Sequence, residues 1–190
     1  MVFPKITVYG SKLSPSTQRV LILLEELQLN YKLHEINLEN GELQSKEFIK
    51  LNPFSQVPVL KYQETIDSTE KILYQSRSIL RYISNKHDST VDYYPDSKCD
   101  MWIDIESQEL HPVHTQKQTT ELSKILKIYN DNLLENTFTS GEDFTISDIT
   151  CIPELFYIYK QDKEFLKNYT KLYSWFKKIK NRDSVKRVLC

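Results

Sequence analysis

The sequence predicts an α/β domain followed by an all-α domain. Two changes of pattern along the chain support this prediction. Residues 1–86 alternate short apolar runs with amphipathic stretches, as strands and helices do when they follow one another. From about residue 97 the strand pattern stops, and apolar residues recur at three- and four-residue spacing, which is typical of helices. We therefore expect an α/β domain over 1–86, a polar linker over 87–96 and a helical bundle over 97–190.

The strands and helices of the first domain follow from its apolar spacing. Short apolar or alternating runs predict strands, and apolar residues three and four apart predict helices. In chain order the expected elements are a strand KITVY (5–9), a helix with an apolar stripe, a strand YKLHEI (31–36), a helix QSKEFIKLN (44–52), strands VPVLKY (57–62) and KILY (71–74), and a helix SRSILRYISNK (76–86). The apolar stripe of the first helix consists of Val20, Leu21, Leu23, Leu24 and Leu27. Their order is βαβ-α-ββα.

The second domain contains two apolar stripes and one clear helix start. Thr145 and Asp148 have the spacing of a capping box, in which each side chain satisfies a backbone N–H at the start of a helix. Lysines surround the C-terminal one of the two stripes, which begins at Leu172, and they predict the solvated face of a packed helix rather than a membrane or nucleic-acid surface. The stripes consist of Leu122, Ile125, Leu126, Tyr129 and Leu133, and of Leu172, Trp175, Phe176 and Ile179.

The composition excludes several classes of function. Three glycines are too few for a glycine-rich phosphate loop, and a net charge of −1 gives no footprint for nucleic acid. No stretch approaches the ~20 apolar residues of a membrane span, and the N-terminus carries no cleavable signal pattern. Three widely spaced cysteines without a CxxC pair predict reduced thiols. We expect a cytoplasmic protein without a membrane or nucleic-acid partner.

The two histidines at positions 111 and 114 are the only pair with a spacing that could suggest a metal site. No cysteine stands near them and no converging acid is evident from the sequence, so no metal is expected there. Pro112 between them indicates a bend in the helix instead.

Several ordered motifs resemble one family over nearly the whole chain. The turn SPST (14–17) follows the first strand, and NPFSQVPVL (52–60) and LYQSRSILRYI (73–83) follow it along the first domain. These segments resemble the thioredoxin-like domain of cytosolic glutathione transferases. IDIESQELHPV (103–113) and FTISDITCIPEL (144–155) resemble the helical domain of the phi class. The resemblance implies a thioredoxin-like α/β domain, an all-helical bundle, and glutathione as co-substrate.

The resemblance assigns a catalytic role to Ser14, at the first strand-to-helix turn. Thioredoxins carry a cysteine nucleophile at this turn, and a serine there cannot exchange disulfides. A hydroxyl can instead donate a hydrogen bond to a bound thiol and favour its thiolate. The stretch by itself also fits a plain N-cap with Pro15 at the first helical position. Ser16, one turn inside the helix, and Tyr9, at the end of the first strand, are the competing candidates.

Further residues are implied in glutathione binding. The resemblance implies a cis peptide bond before Pro58, with the backbone of Val57 pairing to the cysteinyl part of glutathione and Gln56 beside it. Ser76, expected as the N-cap of the following helix, would receive the γ-glutamyl carboxylate, and Gln75 would hold the amino group.

Phi-class proteins place a His-Lys pair for the glycyl carboxylate where this chain has Leu43 and Gln44. Gln44 is therefore the expected contact in that position, without the usual cation. The connection after ELHPVHTQ is also shorter than is usual in the phi class, which removes part of the wall over the substrate pocket.

The resemblance implies an enzyme that conjugates the glutathione thiolate to hydrophobic electrophiles, with possible peroxidase activity. The alternative is a non-catalytic scaffold of the same fold, used for binding or dimerisation. Phe54 and Arg77 are expected at the interface of a C2 homodimer, because an aromatic at this loop would otherwise be exposed.

Overall fold

The computed structural model describes residues 4–87, 91–116 and 119–190. The chain folds as two compact units, Met1–Ile83 and Ser84–Cys190. Three residues of the expected linker, 88–90, lie outside the described residues.

The first unit has the predicted order of strands and helices. A 3-10 turn at Glu42–Gln44 precedes the second helix, and the third helix runs on past the end of this unit. The elements are β1 (Lys5–Gly10), α1 (Pro15–Glu26), β2 (Lys32–Glu35), α2 (Lys46–Leu51), β3 (Val59–Gln63), β4 (Lys71–Tyr74) and α3 (Ser76–Lys86). This βαβ-α-ββα succession confirms the predicted thioredoxin-like domain.

The four strands form one mixed sheet in the order β2-β1-β3-β4. β1 runs parallel to β2 and antiparallel to β3, and β3 runs antiparallel to β4. Val59 pairs with Tyr9 of β1 on one side and with Tyr74 of β4 on the other. The carboxyl ends of β1 and β4 therefore meet the amino end of β3 at one edge of the sheet.

Gly10 closes β1 directly against the first turn of α1. A Cβ atom at this position would lie 2.6 Å from Cγ2 and Oγ1 of Thr17, whose side chain is fully buried. Only a residue without a side chain allows this approach. Four residues of the predicted stripe of α1 are buried, Val20, Leu21, Leu23 and Leu24, and so is Ile22 between them, whereas Leu27 is partly buried.

The described residues of the second unit form helices and connecting loops, with an isolated β-bridge between Phe138 and Gly141. Both predicted stripes are buried, one on the helix after position 119 and one on the helix after position 170. The helices are α4 (Ser97–Ile105), α5 (His111–Thr115), α6 (Thr119–Glu135), α7 (Ile146–Gln161), α8 (Lys163–Lys167), α9 (Thr170–Ile179) and α10 (Asp183–Leu189), with a π-helical segment, Glu106–Leu110, between α4 and α5. Among the described helices, none is long and apolar enough to cross a membrane.

The capping box at the start of α7 is present as predicted. Asp148 Oδ2 accepts the Thr145 N–H at 3.0 Å, and Thr145 Oγ1 accepts the Ser147 N–H at 3.3 Å. Asp148 Oδ1 also accepts the Thr139 N–H at 2.9 Å, which ties the preceding loop to the helix. Burial of this carboxyl raises its pKa to about 6, against the lowering effect of these backbone hydrogen bonds.

Candidate functional site

Three turns lie at one edge of the sheet, where Tyr9 of β1, Val59 of β3 and Tyr74 of β4 are paired side by side. The turn after β1 leads to Ser14, the turn before β3 contains Val57 and Pro58, and the turn after β4 contains Gln75 and Ser76. The register of the sheet therefore brings the predicted residues of three separate segments to one side of the first unit.

Ser14 is the N-cap of α1. Its backbone is extended (φ −84°, ψ 120°), and its Oγ accepts the Thr17 N–H at 3.4 Å. Pro15 occupies the first helical position, and the first turn carries no acidic residue to offset the positive end of the helix dipole. The cap bond uses a lone pair of Oγ and leaves its O–H hydrogen for a second partner. The N-cap alternative and the catalytic role are therefore compatible.

The two competing residues, Ser16 and Tyr9, have contacts of their own. Ser16 Oγ accepts a hydrogen bond from Nη1 of the buried Arg19 at 3.2 Å. The Tyr9 ring lies 4.8 Å from the ring of His34, centroid to centroid, and packs against the cluster of Ile36, Phe48 and Val59. This packing gives the Tyr9 ring a structural role at the end of β1.

The loop before β3 is held by a residue that the sequence did not single out. Asn52 is 1% exposed, and its Nδ2 donates to the Gln56 carbonyl at 2.7 Å while its Oδ1 accepts the Phe54 N–H at 3.0 Å. The Val57-Pro58 bond is cis, as the resemblance implied. Gln56 is exposed, and Val57 lies just outside the β-ladder, which begins at Val59.

The turn after β4 is strained. Gln75 is exposed with φ 70°, a left-handed conformation that is costly for a residue with a side chain and that often marks functional sites. The Ile79 N–H donates to the Gln75 carbonyl at 3.0 Å, so Gln75 is the N-cap of α3. The prediction that Ser76 is the N-cap is wrong by one position, because Ser76 is already the first helical residue, 4% exposed.

The two positions expected to face the glycyl carboxylate of glutathione, Leu43 and Gln44, carry no charged side chain. Gln44 ends the 3-10 turn and is exposed. Leu43 packs against the cluster of Ile36, Phe48 and Val59 and so points toward the core.

One group of residues contradicts an expectation from the sequence. Glu154 of α7 contacts both His111 and His114, although no converging acid was expected near these histidines. Glu106 also belongs to this group. Glu154 lies 43 positions from His111 and 40 from His114, a separation over which no local sequence pattern extends.

Comparisons with known proteins assign the family. Residues 4–85 match the family model "Glutathione S-transferase, N-terminal domain", and residues 111–183 match "Glutathione S-transferase, C-terminal domain". Glutathione S-transferase 3 of Zea mays is 30% identical over 169 residues, covering 75% of this chain and 73% of the relative. Glutathione S-transferase F4 of Arabidopsis thaliana is 29% identical over 209 residues, covering 94% and 82%.

A solved structure agrees with these relatives. Poplar glutathione transferase F1 superposes with a TM-score of 0.86 at 29% identity, over 97% of this chain and 96% of that one. Both domain models, the sequence relatives and the fold thus agree over most of the chain. The chain belongs to the glutathione S-transferase family, and its relatives include plant phi-class members.

Proposed function

We propose that this chain is a glutathione transferase in which Ser14 holds the thiolate of glutathione. The thiolate sulfur attacks an electrophilic carbon of a hydrophobic substrate, a C–S bond forms, and the leaving group departs with its electron pair. With a peroxide, the sulfur attacks one oxygen, the O–O bond breaks and the other oxygen leaves as an alcohol or water. The sulfenic acid formed on the sulfur then reacts with a second glutathione thiol to give the disulfide and water. Such reactions remove reactive electrophiles, so detoxification is the role we infer.

The single observation that carries this proposal is the meeting of three turns at one edge of the sheet. A tripeptide laid along that edge would reach the backbone of Val57, the strained turn at Gln75 and Ser76, and the hydroxyl of Ser14. An extended peptide pairs with backbone groups beyond the end of a ladder, which is where Val57 lies. The N-terminus of α3 beyond Gln75 suits the γ-glutamyl carboxylate.

The energy required of Ser14 is within reach of one hydrogen bond and one helix end. A free thiol with a pKa near 8.5 is about 3% ionised at pH 7, and lowering that pKa by about 2 units takes about 2.7 kcal/mol. A hydrogen bond to a charged acceptor contributes about 1.5–3 kcal/mol, and the helix dipole at the start of α1 adds about 0.3–1 kcal/mol.

The test compares Ser14→Ala with Ser16→Ala in glutathione conjugation to chlorodinitrobenzene. At pH 7 we expect Ser14→Ala to lower kcat/KM by at most about 25-fold, the change in thiolate fraction when the whole pKa shift of about 2 units is lost, and by less where the helix end retains part of the shift. The kinetic pKa of the bound thiol should return toward 8.5, while Ser16→Ala should leave it unchanged. A Ser14→Ala variant with wild-type activity and pH profile contradicts the assignment.

A second candidate function is a glutathione-binding or dimerising scaffold without turnover. The observation that favours it is the absence of a cation at both predicted glycyl positions: Leu43 packs toward the core and Gln44 is uncharged. Retention on immobilised glutathione separates the two candidates when it is measured beside the conjugation assay. Retention without turnover supports the scaffold, and turnover that Ser14→Ala removes supports the enzyme.

The exposed Phe54 supports a homodimer as the working form. Its side chain is 64% exposed in the loop before β3, although a ring of this size is normally buried. We place Phe54 against the helical domain of a second copy, with Arg77 of α3 near the twofold axis. Sedimentation of Phe54→Ala should show a shift toward monomer, and Ile66→Ala, at an 86% exposed loop position, is the matched control. A monomeric wild type at micromolar concentration contradicts this placement.

The state of the cysteines supports a cytoplasmic location. None of the three forms a disulfide in the structure, and two of them, Cys99 and Cys151, are buried. Reduced thiols are typical of reducing compartments.

A further inference from the structure

A buried carboxylate lies between two imidazoles in the second unit. Glu154 of α7 is 1% exposed, and its Oε1 is 2.8 Å from Nδ1 of His111. Its Oε2 contacts Nδ1 of His114, so both oxygens face a ring nitrogen. A second buried carboxylate, Glu106, joins the group, and single ligand atoms of Glu106, His111 and Glu154 lie within 4.8 Å of one another.

The π-helical segment creates this arrangement. In an α-helix, residues five positions apart differ by about 140° around the axis, so Glu106 and His111 would point in different directions. Here the His111 N–H donates to the Glu106 carbonyl across the wider π turn, which brings the two residues toward the same face. Single π turns inside α-helices occur frequently at functional sites. His114, three positions after His111, lies on the same face of α5.

We propose that Glu106, His111 and Glu154 bind a divalent transition-metal ion of the Zn²⁺ type. Imidazole nitrogen and carboxylate oxygen are both Zn²⁺ ligands, whereas Ca²⁺ and Mg²⁺ prefer sites made of oxygen alone. Two carboxylates match the charge of one divalent ion. Three protein ligands leave the fourth tetrahedral position for water.

The pair His111–Glu154 requires a small expansion, and Glu106, whose ligand atom lies within 4.8 Å of the other two, requires an inward movement of up to about 1.5 Å to reach tetrahedral spacing. Tetrahedral Zn²⁺ with bonds of about 2.0–2.1 Å places its ligand atoms about 3.3 Å apart. His111 Nδ1 and Glu154 Oε1 are 2.8 Å apart, so they separate by about half an ångström when the metal binds Nδ1 and the neutral ring carries its proton on Nε2. His114 stays on the other oxygen of Glu154 and orients it, which makes His114 a positioning residue.

A route from solvent leads to the site through His111. Its side chain is 36% exposed, whereas that of His114 is 11% exposed and that of Glu154 1%. An ion can therefore approach along the exposed edge of the His111 ring.

The test titrates the full chain with Zn²⁺ alone, in competition with a chromogenic chelator. Cys190→Ser serves as the background, because this exposed thiol would bind Zn²⁺ by itself. We expect one Zn²⁺ per chain, affinity reduced at least about tenfold in His111→Asn and in Glu106→Gln, and a reduction of about 10- to 100-fold in His114→Asn. Co²⁺ in place of Zn²⁺ should give the visible absorption of a tetrahedral N/O site.

The matched control is His34→Asn. His34 is an exposed histidine whose Nε2 lies 4.0 Å from Oε1 of Glu42. The substitution therefore removes a similar His–Glu pair, but one that lacks a second carboxylate in the position of Glu106. His34→Asn should bind Zn²⁺ like the background.

Circular dichroism checks that each variant is folded. Glu154→Gln changes a buried residue and can fail this check, whereas His111→Asn changes a partly exposed residue, so the test does not depend on Glu154→Gln. Equal binding by the background and His111→Asn, or no stoichiometric binding, overturns the proposal. The titration contains no glutathione, so its outcome is independent of the proposed transferase activity.

Discussion

The side-chain amide of Asn52 donates a hydrogen bond to the backbone carbonyl of Gln56, 2.7 Å away, and thereby holds the loop that precedes Pro58. The same side chain accepts the Phe54 N–H at 3.0 Å, and Asn52 is 1% exposed. One buried amide thus fixes both the loop that carries the proposed dimer contact and the backbone next to Val57. Under the proposed binding mode, the position of a peptide ligand at this edge of the sheet would depend on Asn52 without a direct contact to it.

Replacing Asn52 with alanine should weaken glutathione binding more than turnover. The change removes both side-chain hydrogen bonds of the loop and leaves the Phe54 N–H and the Gln56 carbonyl without this partner. We expect the free energy of unfolding to fall by about 1–3 kcal/mol. KM for glutathione should rise several-fold, while kcat at saturating glutathione changes less. Urea unfolding and steady-state kinetics measure the two effects.

Gln63→Ala is the matched control for this prediction. Its Nε2 also ties a loop, through the carbonyls of Ile66 at 3.1 Å and Ser68 at 3.0 Å, but at the opposite end of β3. It should lower stability without raising KM for glutathione. A similar rise in KM in both variants would mean that general loosening of the domain, rather than the loop before β3, controls binding.

Replacing Gly10 with alanine should displace the first turn of α1. The added Cβ would lie 2.6 Å from Cγ2 and Oγ1 of Thr17, which is too close for any real contact. Because Thr17 is buried, the turn that carries Ser14 has to move, and we expect stability to fall by about 1–3 kcal/mol with a loss of activity. Urea unfolding and the conjugation assay measure the two effects.

The double variant Gly10→Ala with Thr17→Ala identifies the cause. Truncating Thr17 removes both 2.6 Å contacts and leaves only its Cβ at 3.2 Å. Stability and activity should therefore recover in part relative to Gly10→Ala alone, giving a coupling energy between the two positions. Simple additivity of the two single changes would show that the contact with Thr17 is not the source of the loss.

Local patterns predicted the elements better than the contacts between them. The bounds of α3, Ser76–Lys86, coincide with the predicted run, and the Thr145 capping box was readable because its partners are three residues apart. The N-cap of α3 is Gln75, one position before the predicted Ser76. Gln75 has a left-handed backbone, and a glutamine in the sequence does not predict such a conformation.

Long-range contacts were the part that the sequence could not supply. The meeting of His111 with Glu154 depends on how α7 packs against the π-helical segment, and the role of Asn52 depends on the path of its own loop. The family resemblance supplied the cis bond before Pro58, which composition and spacing could not.

The stability of the chain should carry a pH dependence from Asp148. Burial, the main cause, raises the pKa of this carboxyl to about 6, while an unfolded aspartate titrates near 3.9. Between these values the folded state binds more protons than the unfolded state, so Asp148 makes stability fall as the pH rises from about 4 to about 6. A shift of about 2 units corresponds to a contribution of about 3 kcal/mol. Urea unfolding at a series of pH values measures it.

Asp148→Asn isolates that contribution. The variant cannot ionise, so the difference in stability between wild type and variant should shrink toward higher pH through this window. Asparagine offers one carbonyl oxygen where Asp148 accepts N–H bonds with both of its oxygens, from Thr139 and Thr145, so the variant should be less stable at pH 4. A difference that stays constant between pH 4 and 6 would contradict the raised pKa.

The three thiols should differ sharply in reactivity toward Ellman's reagent. Cys190 is exposed, whereas Cys99 and Cys151 are fully buried, and burial raises the pKa of Cys99 and so lowers its thiolate fraction. We expect one fast-reacting thiol per native chain and three after unfolding in guanidinium chloride. Cys190→Ser should have no fast thiol and two after unfolding. A fast thiol in that variant would show that the packing around one of the two buried thiols, Cys99 or Cys151, opens in the native state.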